Sequence, residues 1–354
     1  MAEFSIASTR EQAPPHPPLV RLGAIAYVNT LPIYYPLARV WPEEGADGIG
    51  PLQLQYATPA ALNRAVFQGA LDVSPVSSAF YLRHREQLVL LDDLSVSSPG
   101  AVESVLFISR APLAALNPAQ SRLWVPSSSE TSIALLQHLL QLETGLSWPL
   151  SALHCYDPAQ HLRQNVLLAN GSLLDGSLLD GSLVDGGLPE GIDGLLVIGD
   201  DALKCSAAGH WPQGFLVYDL AECWQQRYGL PFVFAVWVAR LPWAQAHPNA
   251  LAELNRTLCN SRARFWADGE LQQLALQDAC ARCTISPEVV FRYWHHCLDF
   301  NLGPSHLQSL ERFQSILTLL GSSQPTVPFH HDATPSTACI AASSGNDCPP
   351  VQSG

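Results

Sequence analysis

Val20-Arg-Leu-Gly-Ala-Ile-Ala-Tyr-Val-Asn-Thr-Leu-Pro-Ile-Tyr-Tyr-Pro-Leu-Ala-Arg-Val40 holds two elements in one run. Val20 to Tyr27 has the length and apolar content of a buried strand. Pro32 to Val40 reads as a helix, because a proline in the first turn gives up an N–H that has no intrahelical partner there. The pattern repeats downstream. Leu52 to Tyr56 alternates as a strand, then Thr58 and Pro59 make an N-cap and first turn for a helix through Phe67 that ends at Gly69. Asp72 to Val76 is a third short strand and Ser77 to His84 a helix. Strand and helix in alternation predict an α/β lobe with a parallel sheet.

A second α/β lobe follows. Glu103 to Ser109, Arg122 to Val125 and Gly194 to Ile198 read as strands, Ser132 to Leu142 as a helix, and Pro231 to Ala239 as a long apolar strand assigned to this lobe. From Pro248 to Leu320 the pattern is helical, in segments Ala250–Trp266, Glu270–Cys280, Pro287–Phe300 and Ser305–Leu320. Those helices are expected to cover the lobes and tie them together.

Composition sets limits on function. With 354 residues, 47% hydrophobic and 14% charged, the chain exceeds one ordinary core of about 100–200 residues. A formal charge of −13, with one lysine, Lys204, excludes nucleic acid as a partner. Any anion must be held locally, by helix N-termini, backbone N–H groups, hydroxyls and amides. Nine cysteines, none before Cys155, are no disulfide framework and fit a reducing compartment. Met1 to Pro18 has no apolar run of signal-peptide length and no later stretch reaches about 18 apolar residues, so a cytoplasmic protein without a membrane span is expected.

Three segments look peripheral: the leader 1–18, a Ser-, Pro- and Thr-rich tail 322–354, and a low-complexity loop 170–191. Inside the loop, Gly171-Ser-Leu-Leu-Asp recurs at Gly176 and, as Gly-Ser-Leu-Val-Asp, at Gly181. Asp-Gly pairs mark turns, which suits an expanded surface loop better than a calcium-binding roll. Leader and tail are expected to be disordered.

The candidate chemistry sits at strand ends. Tyr27-Val28-Asn29-Thr30 lies where the first strand passes into a helix, the edge at which open α/β sheets bind ligands. Ser74-Pro-Val-Ser-Ser78 and Ser127-Ser-Ser-Glu-Thr-Ser132 place hydroxyls and free N–H groups at helix starts, either as ordinary caps or as anion-binding turns. Ile198-Gly-Asp-Asp201 puts two carboxylates at another strand end, where Asp200 reads as a cap more readily than as a base. Cys280-x-x-Cys283, with His295, His296 and Cys297 downstream, lacks finger spacing, so no metal is expected. No dinucleotide, Walker, nucleophile-elbow or zincin motif occurs, so no cofactor is expected.

Eight of these segments, in order, resemble chorismate dehydratase of the futalosine route to menaquinone: Arg21 to Tyr35, Thr58 to Arg64, Gly69 to Ser78, Gly100 to Ser109, Ser129 to Leu136, Ile198 to Leu203, Tyr218 to Trp224 and Gly229 to Trp237. The resemblance runs from about residue 20 to 240 and more weakly to 320; only the repeat, leader and tail depart from it. It implies a type II periplasmic-binding-protein fold with a ligand cleft between two α/β lobes, lobe 1 being 19–104 plus 243–321 and lobe 2 being 105–242.

What the resemblance implies for the site is a dehydration of chorismate to 3-[(1-carboxyvinyl)oxy]benzoate. In that reading Asn29 and Ser78 are catalytic, and Tyr27, Thr30, Ser77, Ser104, Ser129, Thr131, Ser132, Asp200 and Phe232 bind substrate. Ser77, Ser78, Thr131 and Ser132 would hold carboxylates. The matched segments contain no histidine, so a carboxylate of the substrate is expected to take the proton. No obligate protein partner is implied. Two rivals share the fold: 1,4-dihydroxy-6-naphthoate synthase, whose Pro-Asn-Asp type opening is absent from Ala26 to Pro32, and a non-catalytic solute-binding protein for an organic anion, which would ordinarily carry an export signal.

Overall fold

The computed structural model describes residues 19–41, 49–157, 166–167, 173–174, 188, 191–208 and 214–321. The leader, the tail and all of the repeat except Leu173 and Leu174 lie outside them, as do the expectations made for those segments. Strands β1 (Val20–Ile25), β2 (Leu52–Ala57), β3 (Val73–Ser77) and β4 (Leu88–Ser98) alternate with helices α1 (Leu31–Val40), α2 (Pro59–Phe67) and α3 (Ser78–His84). The chain then crosses to β5 (Val105–Ser109), β6 (Leu123–Pro126), α4 (Glu130–Thr144), β7 (Leu153–Tyr156), the short pair β8 (Val166–Leu167) and β9 (Leu173–Leu174), β10 (Gly194–Ile198), α5 (Gly199–Ala208), β11 (Leu216–Asp219) and α6 (Leu220–Tyr228). It returns at β12 (Phe232–Arg240) and closes with α7 (Leu241–Ala246), α8 (Pro248–Ala267), α9 (Gly269–Cys283), α10 (Pro287–Arg292), a π-helical turn Tyr293–Cys297 and α11 (Pro304–Gly321).

The two five-stranded sheets have one topology. The first runs β2-β1-β3-β12-β4, and the second, read from its β7 edge, runs β7-β6-β10-β5-β11. In each, the strand that enters from the other lobe is wedged antiparallel beside the third strand: β12 against β3 and β4, β5 against β10 and β11. Both sheets are therefore mixed, whereas the strand–helix alternation predicts a parallel sheet for the first lobe. The boundary also moves. Phe232–Arg240 belongs to lobe 1, not to lobe 2, because its backbone pairs with β3 and β4.

β4 was not foreseen, since Asp92-Asp93 and three serines interrupt its apolar pattern. The sheet accepts them because each buried hydroxyl finds a carbonyl: Ser95 donates to Asn301, Ser97 to Asp299 at 2.9 Å and Ser98 to Gly100 at 2.9 Å. β1 and β3 approach so closely that a Cβ on Gly23 would lie 2.1 Å from Ser74 Oγ. Beneath them Trp237 Nε1 donates to the Tyr34 hydroxyl (2.9 Å), which donates to the Gly23 carbonyl (2.6 Å), so the polar atoms of this core form a satisfied chain. No helix of the described residues is long and apolar enough to cross a membrane.

On α4, His138 is half-buried against the Tyr228 hydroxyl. Burial, with Arg227 and Arg312 nearby, pushes its imidazolium down to about 4 from an ordinary 6.5. The folded chain thus binds fewer protons there than the unfolded one, so this contribution to stability is full above 6.5 and is lost as the pH falls toward 4. Thermal unfolding across that window is expected to show a falling midpoint that flattens in His138→Gln; an equal acid slope in both proteins would contradict the assignment.

Candidate functional site

The carboxyl ends of β1, β3, β6 and β10 all point into the space between the sheets, where open α/β sheets take their ligands. The cleft there holds about 570 Å³ of space between its walls, part of it open to solvent.

The loop after β1 supplies one wall. Thr30 Oγ1 donates back to the Ile25 carbonyl (2.9 Å) and closes the turn, so Thr30 is structural and does not reach the cleft. Val28 is held from two sides: its N–H donates to Asp200 Oδ1 of lobe 2 (3.1 Å), and its carbonyl accepts from Trp294 Nε1 (2.9 Å). Tyr27 and Asn29, on either side of it, face the cleft. The Asn29 Oδ1 atom is buried there and has no hydrogen-bond partner among the described residues. Tyr27 lies flat on Gly199, whose φ of +67° and missing Cβ make room for the ring; a Cβ would stand 3.0 Å from it.

Opposite, Ser129 caps α4. Its Oγ accepts from the Ser132 N–H (3.3 Å) and meets the Ser132 hydroxyl at 2.9 Å. Ser129, Thr131 and Ser132 line the cleft at a helix start whose dipole favours an anion. Ser77, at the end of β3, is fixed by buried Asn63: the Asn63 amide donates to Ser77 Oγ (3.1 Å), and its carbonyl accepts the Ser77 N–H (3.1 Å). Ser77 Oγ also accepts from the Phe80 N–H at 3.4 Å. Both of its lone pairs are taken, which leaves this cleft-lining residue its hydrogen to donate.

Ser78 stands differently. It is fully buried, donates to the Val233 carbonyl (2.7 Å) and is not part of the lining. The N–H of Ala79, in the first turn of the helix that Ser77 caps, donates to Thr131 Oγ1 across the cleft at 3.0 Å. With Arg83 and Glu130 paired at 3.0 Å, this contact closes the lobes on each other. Asp200 also lies off the lining: it accepts from Val28 and from the Cys283 thiol (3.3 Å), so its task is to hold the loop. Phe232 is replaced by Phe234. A bulge in the β12–β4 register at Phe234 sends its ring to the cleft, while Phe232 packs with Trp224 and Phe313 in the core.

Sequence reading also missed Tyr293, which lines the cleft and donates to Ser104 Oγ at 2.8 Å. No local pattern links a residue of the C-terminal helices to a crossover segment 189 positions earlier. Among the described residues, the lining contains no Asp, Glu, Lys, Arg or His. Its phenols remain protonated at neutral pH: burial pushes Tyr27 up to about 12 and Tyr293 higher still. The arrangement is a set of neutral donors around an apolar floor, able to hold an anion but offering no ready base.

Two like sheets crossed twice, with the cleft at their carboxyl edges, define a binding-protein-like class of molecule. Solved structures share the fold: a protein from Archaeoglobus fulgidus (TM-score 0.61, 13% identity, 86% of this chain and 98% of that one), the periplasmic aliphatic sulphonate binding protein SsuA from Escherichia coli (0.57, 12%, 87% and 93%), and a Candida albicans gene product with the generic periplasmic binding protein fold (0.51, 13%, 86% and 90%). A family model described as menaquinone biosynthesis matches residues 20–164 and 183–318. A chorismate dehydratase from Thermus thermophilus is 33% identical over 269 residues, 72% of this chain and 83% of that protein. The chain belongs to the menaquinone biosynthesis family.

Gly199→Ala tests the cross-lobe seat of Tyr27. The strained φ and the ring contact together should cost about 1–3 kcal/mol of stability, read by denaturant unfolding. An unchanged midpoint would show that the ring is not seated there.

Proposed function

We propose that the chain is a hydro-lyase that converts chorismate to 3-[(1-carboxyvinyl)oxy]benzoate. The observation that carries this reading is the uncharged, donor-lined cleft in a chain 33% identical to a chorismate dehydratase. Chorismate brings two carboxylates, and Ser77, Ser104, Ser129, Thr131 and Ser132 offer hydroxyls to meet them without a counter-cation. Such donors are fixed before the substrate arrives, so they need no reorganisation as charge shifts toward the ring carboxylate.

The reaction removes the C3 proton and the C4 hydroxyl, which leave together as water, and the ring becomes aromatic. With phenols as the only titratable groups of the lining among the described residues, the C3 proton goes to a carboxylate of the substrate itself, which passes it to the departing C4 hydroxyl so that water leaves, and the cleft enforces the conformation that brings them together. Asn29 fits the role of positioning the leaving hydroxyl: its unpartnered Oδ1 accepts that O–H. Tyr27 and Phe234 cover the ring faces and exclude water.

Purified protein mixed with chorismate is expected to consume the diene absorbance and yield a benzoate that keeps its enolpyruvyl ether. Asn29→Ala should lower kcat about 100-fold or more, the scale of losing one oriented polar group. Tight binding of chorismate without turnover would overturn the enzymatic reading in favour of an anion-binding protein.

A further inference from the structure

Tyr293 opens the π-helical turn Tyr293–Cys297, where the Leu298 N–H bonds to the Tyr293 carbonyl at 3.1 Å. One extra residue in a helical turn re-aims the side chains around it, and such turns concentrate at functional sites. Here two consecutive residues reach opposite walls of one cleft. Trp294 holds the Val28 carbonyl of the lobe 1 loop, and Tyr293 holds Ser104 at the entry to lobe 2.

Ser104 has little freedom of its own. Its carbonyl accepts the Gly199 N–H at 2.8 Å. Its neighbour Glu103 is held at φ +59° in the left-handed region, with its N–H on Asp219 Oδ2 at 2.6 Å and its carboxylate on Arg292 at 2.6 Å. A non-glycine residue in that region is strained, and the surrounding bonds hold it there. What remains undetermined by the backbone is the direction of the Ser104 hydroxyl hydrogen.

Tyr293 settles that direction. Tyr293 is 1% exposed, and among the described residues its hydroxyl has Ser104 Oγ as its sole hydrogen-bond partner. If Ser104 donated to the phenol, the buried phenol hydrogen would have no acceptor among the described residues. The phenol therefore donates, and Ser104 turns its own hydrogen to the cleft, which it lines.

We propose that Tyr293 is a positioning residue that fixes the Ser104 hydroxyl as a one-way donor into the cleft, so that the cleft selects a carboxylate over the corresponding amide. A carboxylate only accepts; an amide NH2 would set donor against donor, and a mismatched polar group in a closed site is rejected strongly. The inference rests on reading the cleft as a dicarboxylate site.

The test is a double-mutant cycle read by calorimetry with benzene-1,3-dicarboxylate and its diamide as probes, on wild type, Tyr293→Phe, Ser104→Ala and the double variant. Tyr293→Phe should weaken the dicarboxylate about tenfold, the scale of one hydrogen bond to a charged group, and leave the diamide within about twofold. The double variant should bind no more weakly than Ser104→Ala. If Ser104→Ala fails to fold, Ser104→Cys, a weak donor of similar size, takes its place. Additive losses, or equal losses for both probes, would show that Tyr293 merely packs, and would overturn the inference. So would failure of wild type to bind the dicarboxylate. Chorismate turnover by the same wild-type preparation separates the two ideas: turnover with an additive cycle leaves the lyase standing and removes the role of Tyr293, whereas a coupled cycle without turnover does the reverse.

Discussion

Val28 has no chemistry of its own, yet its backbone amide is gripped by two distant parts of the chain. Asp200, at the start of a lobe 2 helix, takes its N–H, and Trp294, in the π-helical turn, takes its carbonyl. Each bond replaces water that a buried peptide group would otherwise lose, and an orphaned group there would cost about 1–3 kcal/mol. The residues on either side, Tyr27 and Asn29, are the ones that face the cleft. Their placement therefore depends on lobe 2 and on the C-terminal helices as much as on the strand that carries them. The closed arrangement of the lobes and the shape of the site are one condition.

That condition bears on how a chain with a formal charge of −13 would offer the anion site proposed for it. Nothing about the overall field draws an acid in. Inside the cleft the balance is local and concerns the direction of hydroxyl groups. Ser77 has both lone pairs filled by Asn63 and Phe80, and Ser104 takes the Tyr293 hydrogen, so each keeps one hydrogen for the ligand. On the proposed reading, such neutral donors would meet a carboxylate without a counter-cation.

Much of this fold is legible in the sequence because its elements announce themselves locally. The strand-to-helix passages at Tyr27, Thr58, Ser77 and Ser129 follow from apolar runs, prolines and capping hydroxyls, and eight of the cleft's 18 lining residues lie at those passages. What is not legible is whatever depends on partners far along the chain. Phe232–Arg240 reads as a strand, but which sheet it joins is decided by pairing with β3 and β4. The serines of β4 read as breaks until the loop at Asp299 to Asn301 supplies their acceptors. Ser77 and Ser78 are indistinguishable by type, and only the position of the Val233 carbonyl turns Ser78 inward. Phe234 displaces Phe232 because of a one-residue bulge. Tyr293 enters from the C-terminal helices, where helical periodicity marks it as ordinary core.

The central claim is that a dianion is held and processed by groups that do not titrate near neutrality. The most direct measurement is kcat/KM for chorismate from about pH 5.5 to 9, which reports the ionisations of free enzyme and free substrate. The account predicts a flat profile over that range, since the lining phenols titrate above it and the substrate carboxylates below it. A limb within the range that disappears when a single histidine, aspartate or glutamate is replaced would reveal a protein base and contradict the account.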